Sequence, residues 1–150
     1  MILEKGNMWD VFGNTDLFLI TTNPIIRKDG AVVMGRGIAK EMIDRYPEFA
    51  YDFGEQLSYF NTQCLFTPPV AYVGTYGGTD CGYFMVKNHW AENADIKIIR
   101  KSVEWLTKWA TNRNRIDLNF PGIGNGKLKR EEILPLLEKL PDNVHIWEFE

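Results

Sequence analysis

Two short glycine-rich stretches constrain this chain most. Met34-Gly35-Arg36-Gly37-Ile38-Ala39 and Phe120-Pro121-Gly122-Ile123-Gly124-Asn125-Gly126 each follow a strand-like run and precede a run with helical spacing. Glycine lets the backbone turn sharply and leaves its N–H groups uncovered. A strand-to-helix loop of this kind aims N–H donors and a helix dipole at one point, which suits a phosphate. Two such loops in one small domain imply a diphosphate held between them.

The rest of the sequence alternates strands and helices. Leu17 to Thr21 is apolar and β-branched and reads as a buried strand, broken by Asn23-Pro24. Ile38, Met42 and Ile43 fit a helix from Gly37 to Tyr46, ended before Pro47. Phe49, Phe53, Leu57 and Phe60 share one face of a helix over Glu48 to Phe60. Val70–Thr75 and Gly82–Lys87 read as strands around a turn at Gly77-Gly78-Thr79-Asp80. Ile96, Ile99, Val103, Leu106 and Ala110 recur at steps of three and four, which predicts a helix over Asp95 to Ala110. Ile116 to Phe120 is a strand leading into the second loop. Glu131 to Leu140 reads as a helix in which Pro135 sits in the first turn or makes a kink, and Val144 to Phe149 as a last strand. This order predicts an α/β fold with helices on both faces of a sheet. Ligands of such folds bind at the C-terminal strand ends, where both glycine loops fall.

The 150 residues fit a single domain over 1–150, and a composition 45% hydrophobic and 25% charged is that of a soluble globular protein. A net charge of −3 provides no basic field for coating nucleic acid. No apolar run approaches the about 20 residues of a membrane helix, and Met1 to Gly6 lacks the pattern of a signal peptide. Cys64 and Cys81 form no CxxC pair; two buried free thiols are expected, with no metal site. These features together predict a cytoplasmic protein that does not engage membranes.

The loops are neither of two familiar nucleotide motifs. Gly126-Lys127 is followed by Leu128, not by the Ser or Thr of a Walker sequence, and GxGxxG is absent from both. Lys87, after Tyr83-Phe84-Met85-Val86, reads as a solvated strand end or as a nucleophile. In the second reading, desolvation near a ligand frees its amine to attack a sugar anomeric carbon. Asn23 is either a turn residue or a partner for ribose hydroxyls. Asn7 is either a turn residue or a reader of an adenine amino group. Arg36 stands above the phosphates or is solvated on its loop. His89 and Trp90 read as a structural hydrogen-bonder and as packing.

Taken together, these stretches resemble a macro domain, the ADP-ribose-binding module, over nearly the whole chain. Lys5-Gly6-Asn7 is similar to the opening element beside adenine, and Leu19 to Asn23 to the strand ending in an asparagine near the distal ribose. Met34 to Ala39, running on to Arg45-Tyr46-Pro47, resembles the first phosphate loop and its helix, and Pro121 to Gly126 the second. The resemblance implies a three-layer α/β/α mixed sheet that binds ADP-ribose or an ADP-ribosylated substrate, protein or nucleic acid. It assigns ligand contacts to Asn7, Asn23, Met34 to Ile38 and Pro121 to Gly126, and implies no cofactor.

Lys87-Asn88-His89-Trp90 looks like the lysine-dependent ADP-ribosyl glycohydrolase branch, with Lys87 as the catalytic residue. Lys5-Gly6-Asn7 and Gly37-Ile38-Ala39 also look like the ADP-ribose 1″-phosphate phosphatase branch. A lysine-type hydrolase carries an aspartate just after the second loop, where this chain has Leu128. The phosphatase carries a histidine on the first buried strand, where this chain has Ile20. Three functions therefore stand: glycohydrolase, phosphatase, and non-catalytic reader of ADP-ribose.

Overall fold

A computed structural model describes residues 1–63 and 66–149. Its strands are β1 (Ile2–Lys5), β2 (Leu17–Thr22), β3 (Val70–Tyr76), β4 (Thr79–Met85), β5 (Ile116–Asn119) and β6 (Val144–Glu148). Its α-helices are α1 (Gly37–Arg45), α2 (Glu48–Gln63), α3 (Ile96–Trp109) and α4 (Arg130–Leu137). The strands form one six-stranded sheet in the order β1-β6-β5-β2-β4-β3. All neighbours are parallel except β3 and β4, which form an antiparallel hairpin.

The side-chain alternation of a strand explains the three layers. On β2, Leu17 and Leu19 point into one core, with Ile99, Val103 and Leu106 of α3 and Ile133 and Leu137 of α4. Phe18 and Ile20 point into the other, with Met42 of α1 and Phe49, Phe53 and Leu57 of α2. A strand covered on both faces reads as a continuous apolar run, which is what Leu17 to Ile20 is. In the second core the Phe53 and Tyr83 rings stack with centroids 4.6 Å apart.

Several boundaries differ from the sequence reading. The β3–β4 turn is only Gly77-Gly78, both at positive φ (57° and 79°), the conformation of a tight two-residue hairpin turn. Strand β4 therefore begins at Thr79 and ends at Met85, before Lys87. Pro135 lies in the interior of α4, not its first turn, and the helix stops at Leu137. Strand β1 and a 3₁₀ turn at Met8–Val11 have no counterpart in the sequence reading.

Cys81 is buried and free, and burial followed by the nearby Asp80 pushes its thiol up to about 12. The expectation for Cys64 lies outside the described residues. Among the described residues no helix is long and apolar enough to cross a membrane.

Candidate ligand cleft

The parallel strands β2, β4 and β5 all deliver their C-terminal ends to one edge of the sheet, and the loops that follow them make the site. After β2, the chain is folded back by a bridge between Ile26 and Val32 and by Arg27 N–H to Ala31 O at 2.7 Å. Asn23 pins this excursion: its Nδ2 donates to Val33 O and its Oδ1 accepts Ile25 N–H, both at 2.9 Å. Both ends of the amide thus brace the approach to the first glycine loop. Gly37 opens α1 at φ 59°, and the first N–H groups of a helix have no partner within it.

The second loop is tied to the core. Leu128 N–H donates to Gly122 O at 2.8 Å, and Gly126 O accepts Ala94 N–H at 2.9 Å. Gly124 to Gly126 form a single 3₁₀ turn, whose leading N–H groups are also unpaired within it. A Cβ on Gly37 would stand 3.5 Å from Asn125 Nδ2, so the two loops face each other across a narrow strip.

They enclose a cleft of about 560 Å³. Its walls include Asn23 just after β2, Met34, Gly35, Arg36, Gly37 and Ile38 from the first loop, Gly122, Ile123, Asn125 and Gly126 from the second, and Lys87. A second cavity of about 460 Å³ adjoins it across Gly37, Ile38, Asn119, Phe120 and Ile123. Asn7 and Gly124 line this one. Asn7 also caps the 3₁₀ turn, its Oδ1 accepting Trp9 N–H at 3.0 Å. Pro121 is buried and lines neither cavity.

Lys87 follows β4 in a segment anchored by Val86 N–H to Thr22 O at 3.0 Å and Asp95 N–H to Val86 O at 2.8 Å. It is half-buried, and its Nζ donates to Trp90 O at 3.4 Å. Burial, followed by repulsion from Arg36, lowers its pKa below the ordinary 10.5. Both effects favour the neutral amine. Arg36 is exposed at the start of α1 and lines the same cleft as Lys87, near enough for its charge to act on the amine.

The positions where aspartate and histidine were missing face away from this cleft. Ile20 is fully buried in the core under α1 and α2, and Leu128 packs against the other core. Among the described residues no group of three or more His, Cys, Asp and Glu is gathered as a metal site would need.

The sequence reading missed Asn119, Thr21 and the lining role of Trp90. Asn119 and Thr21 face each other on β5 and β2, with Nδ2 to Oγ1 at 2.8 Å, and both line the cleft. Their position at C-terminal strand ends was the available signal. Trp90 is half-exposed beside Lys87 and lines the cleft mouth.

A six-stranded mixed sheet between helices, with two glycine loops meeting over its strand ends, is the macrodomain fold. The chain is similar over its full length to a structure of Thermosipho africanus DarTG in complex with ADP-ribose, at 20% identity and a TM-score of 0.76. It spans 42% of that chain. The macrodomain of Mycobacterium tuberculosis DarG matches at 23% identity and a TM-score of 0.71, with 97% of each chain covered. The macrodomain of Thermus aquaticus DarG matches at 20% identity and a TM-score of 0.74, covering 99% of this chain and 97% of that one. No sequence-family model and no curated protein sequence matches the chain.

Proposed function

We propose that this cleft binds ADP-ribose and that the chain hydrolyses the linkage at the distal ribose C1″ of an ADP-ribosylated protein or nucleic acid. The observation that carries this reading is the convergence of both glycine loops and Lys87 on one cleft. The diphosphate lies on the strip shared by the two cavities, against the leading N–H groups of α1 and the 3₁₀ turn. The nucleoside then occupies the Asn7 cavity and the distal ribose the Lys87 end. Similarity across the whole chain to a structure that contains ADP-ribose supports the same reading.

In the reaction, neutral Lys87 attacks C1″. The C–N bond forms as the bond to the attached group breaks, and that group leaves with the electron pair and takes up a proton. Opening of the sugar ring leaves an iminium on Lys87. Water adds to it and expels the amine, which releases free ADP-ribose and restores the lysine.

A second reading rests on the charge of the same end. Arg36 and Lys87 stand there with no lining carboxylate among the described residues, which also suits a 1″-phosphate and hence phosphatase action.

Calorimetry with ADP-ribose tests binding; absence of heat at millimolar ligand, about −4 kcal/mol, rejects it. A substrate panel of ADP-ribosylated protein, ADP-ribosylated DNA and ADP-ribose 1″-phosphate then separates the chemistries. Binding with no turnover on all three identifies a reader.

Gly35 tests where the diphosphate lies. A Cβ there meets nothing within 4 Å and its φ is not positive, so Gly35→Val leaves unfolding within about 0.5 kcal/mol of the parent. The added side chain stands at the cleft wall, and ADP-ribose affinity falls by about tenfold or more. Equal affinity in variant and parent rejects the placement.

A further inference from the structure

The two ends of the cleft differ in charge. At the Lys87 end, Arg36 and Lys87 have no lining carboxylate among the described residues to neutralise them, while Arg27 is engaged by Asp29. The nucleoside cavity is lined by Glu41, Glu148 and Arg130. Glu148 is held by Arg130 at 2.5 Å, so those two charges cancel. Glu41 accepts the Trp9 indole N–H at 2.9 Å, a neutral donor that orients the carboxylate and leaves its charge in place. Arg45, on the next turn of α1, lies with its guanidinium 4.0 Å over the Trp9 ring. Among the described residues Glu41 makes no salt bridge.

Its position follows from the helix. Gly37 begins α1 at the shared strip, and Glu41 comes one turn later on the wall of the nucleoside cavity. A ligand whose diphosphate caps α1 therefore passes its next sugar alongside Glu41. Asn7 caps the turn that carries Trp9, and Trp9 in turn fixes Glu41. A carboxylate held in place beside a ribose accepts its hydroxyl hydrogens and repels a phosphate on the same oxygen, the logic that separates the two nicotinamide dinucleotides in other folds.

We propose that Glu41 is a specificity-determining residue that admits ADP-ribose and rejects its form phosphorylated on the adenosine 2′-hydroxyl. The proposal rests on the reading of the cleft given above. It makes the cleft directional: an extra negative group is accepted at the Lys87 end and refused at the nucleoside end.

The test is calorimetric titration of ADP-ribose and 2′-phospho-ADP-ribose into the parent, Glu41→Gln and Glu41→Asp. The parent prefers ADP-ribose by about tenfold or more, the glutamine variant by less than about threefold, and the aspartate variant retains most of the preference. Raising the salt from about 0.05 to 0.5 M shrinks the parent's preference, because the repulsion is between partly exposed charges. This arm needs no variant to fold. Equal affinity of the parent for both ligands, an unchanged preference in Glu41→Gln, or a preference insensitive to salt overturns the proposal. Failure of the parent to bind ADP-ribose at all instead rejects the reading of the cleft.

Discussion

Lys87→Ala abolishes turnover, by about a thousandfold or more, and changes ADP-ribose affinity by less than about threefold. The asymmetry follows from position. In the proposed binding mode the diphosphate contacts are backbone N–H groups on the two loops, which the substitution leaves intact. The one hydrogen bond lost, Nζ to Trp90 O at 3.4 Å, is long and partly exposed. Stopped substrate assays alongside calorimetry check both halves. The same lysine sets the pH profile. Its pKa is lowered, first by burial and then by Arg36, and the reactive form is the one that has lost the proton. The rate therefore rises with pH and levels off at a pKa below 10.5. Arg36→Gln removes a repelling charge, which moves that plateau to higher pH. An undiminished rate in Lys87→Ala, or a rate that falls as pH rises through this range, excludes the lysine as nucleophile.

The parts of the fold legible in the sequence are those whose burial is one-sided or complete. Phe49, Phe53 and Leu57 lie at intervals of four and are all buried, and Ile99, Val103 and Leu106, at steps of four and three, are buried on α3. Leu17 to Ile20 is an unbroken apolar run because helices cover both faces of β2. Strand β1 is the opposite case. It is a four-residue edge strand with Ile2 and Leu3 each about 40% exposed, 39% and 40%, and its stability comes from parallel pairing with β6 at the far end of the chain. Nothing local marks such a strand. Thr79 was hidden for a related reason: a polar residue beside two glycines reads as turn, but it is buried as the first residue of β4.

The cleft was legible to the extent that it is built from backbone. Glycine patterns mark where N–H groups are uncovered, and both loops do converge. Beyond the strip it shares with the cleft, the second cavity depends on side chains from four separate segments: Asn7 to Trp9, Glu41, Arg130, and Trp147 to Phe149. Their proximity comes from sheet order, with β6 between β1 and β5, and sequence spacing carries no trace of it. Glu41 in particular sits on the polar side of α1 and reads as an ordinary solvated residue until Trp9 is placed against it.

The second glycine loop owes its shape to the core beneath it, which Gly122 makes testable. Its φ is +82°, a region that costs an L-residue about 1–2 kcal/mol. A Cβ there would also stand 2.7 Å from Ile99 Cδ1, 3.0 Å from Ile133 Cδ1 and 3.2 Å from Leu128 Cδ1. Those methyls belong to α3, α4 and the chain leaving the loop, so they yield only by repacking, at about 1–3 kcal/mol. Gly122→Ala accordingly loses about 3 kcal/mol of stability, and melts about 9 °C lower for a chain of this size. Gly124 separates the two contributions: its φ is +65° with nothing within 4 Å of a Cβ, so Gly124→Ala pays the backbone strain alone, about 1 kcal/mol. Urea unfolding of both variants measures the difference. If Gly122→Ala is no less stable than Gly124→Ala, the loop is not seated on the core as described. If it is, the surviving folded fraction of Gly122→Ala also binds ADP-ribose more weakly. Relief of the clash lifts Gly122 away from Ile99, and Gly122 O is the acceptor that closes the loop through Leu128 N–H. The leading N–H groups of the 3₁₀ turn then no longer face α1 across the strip.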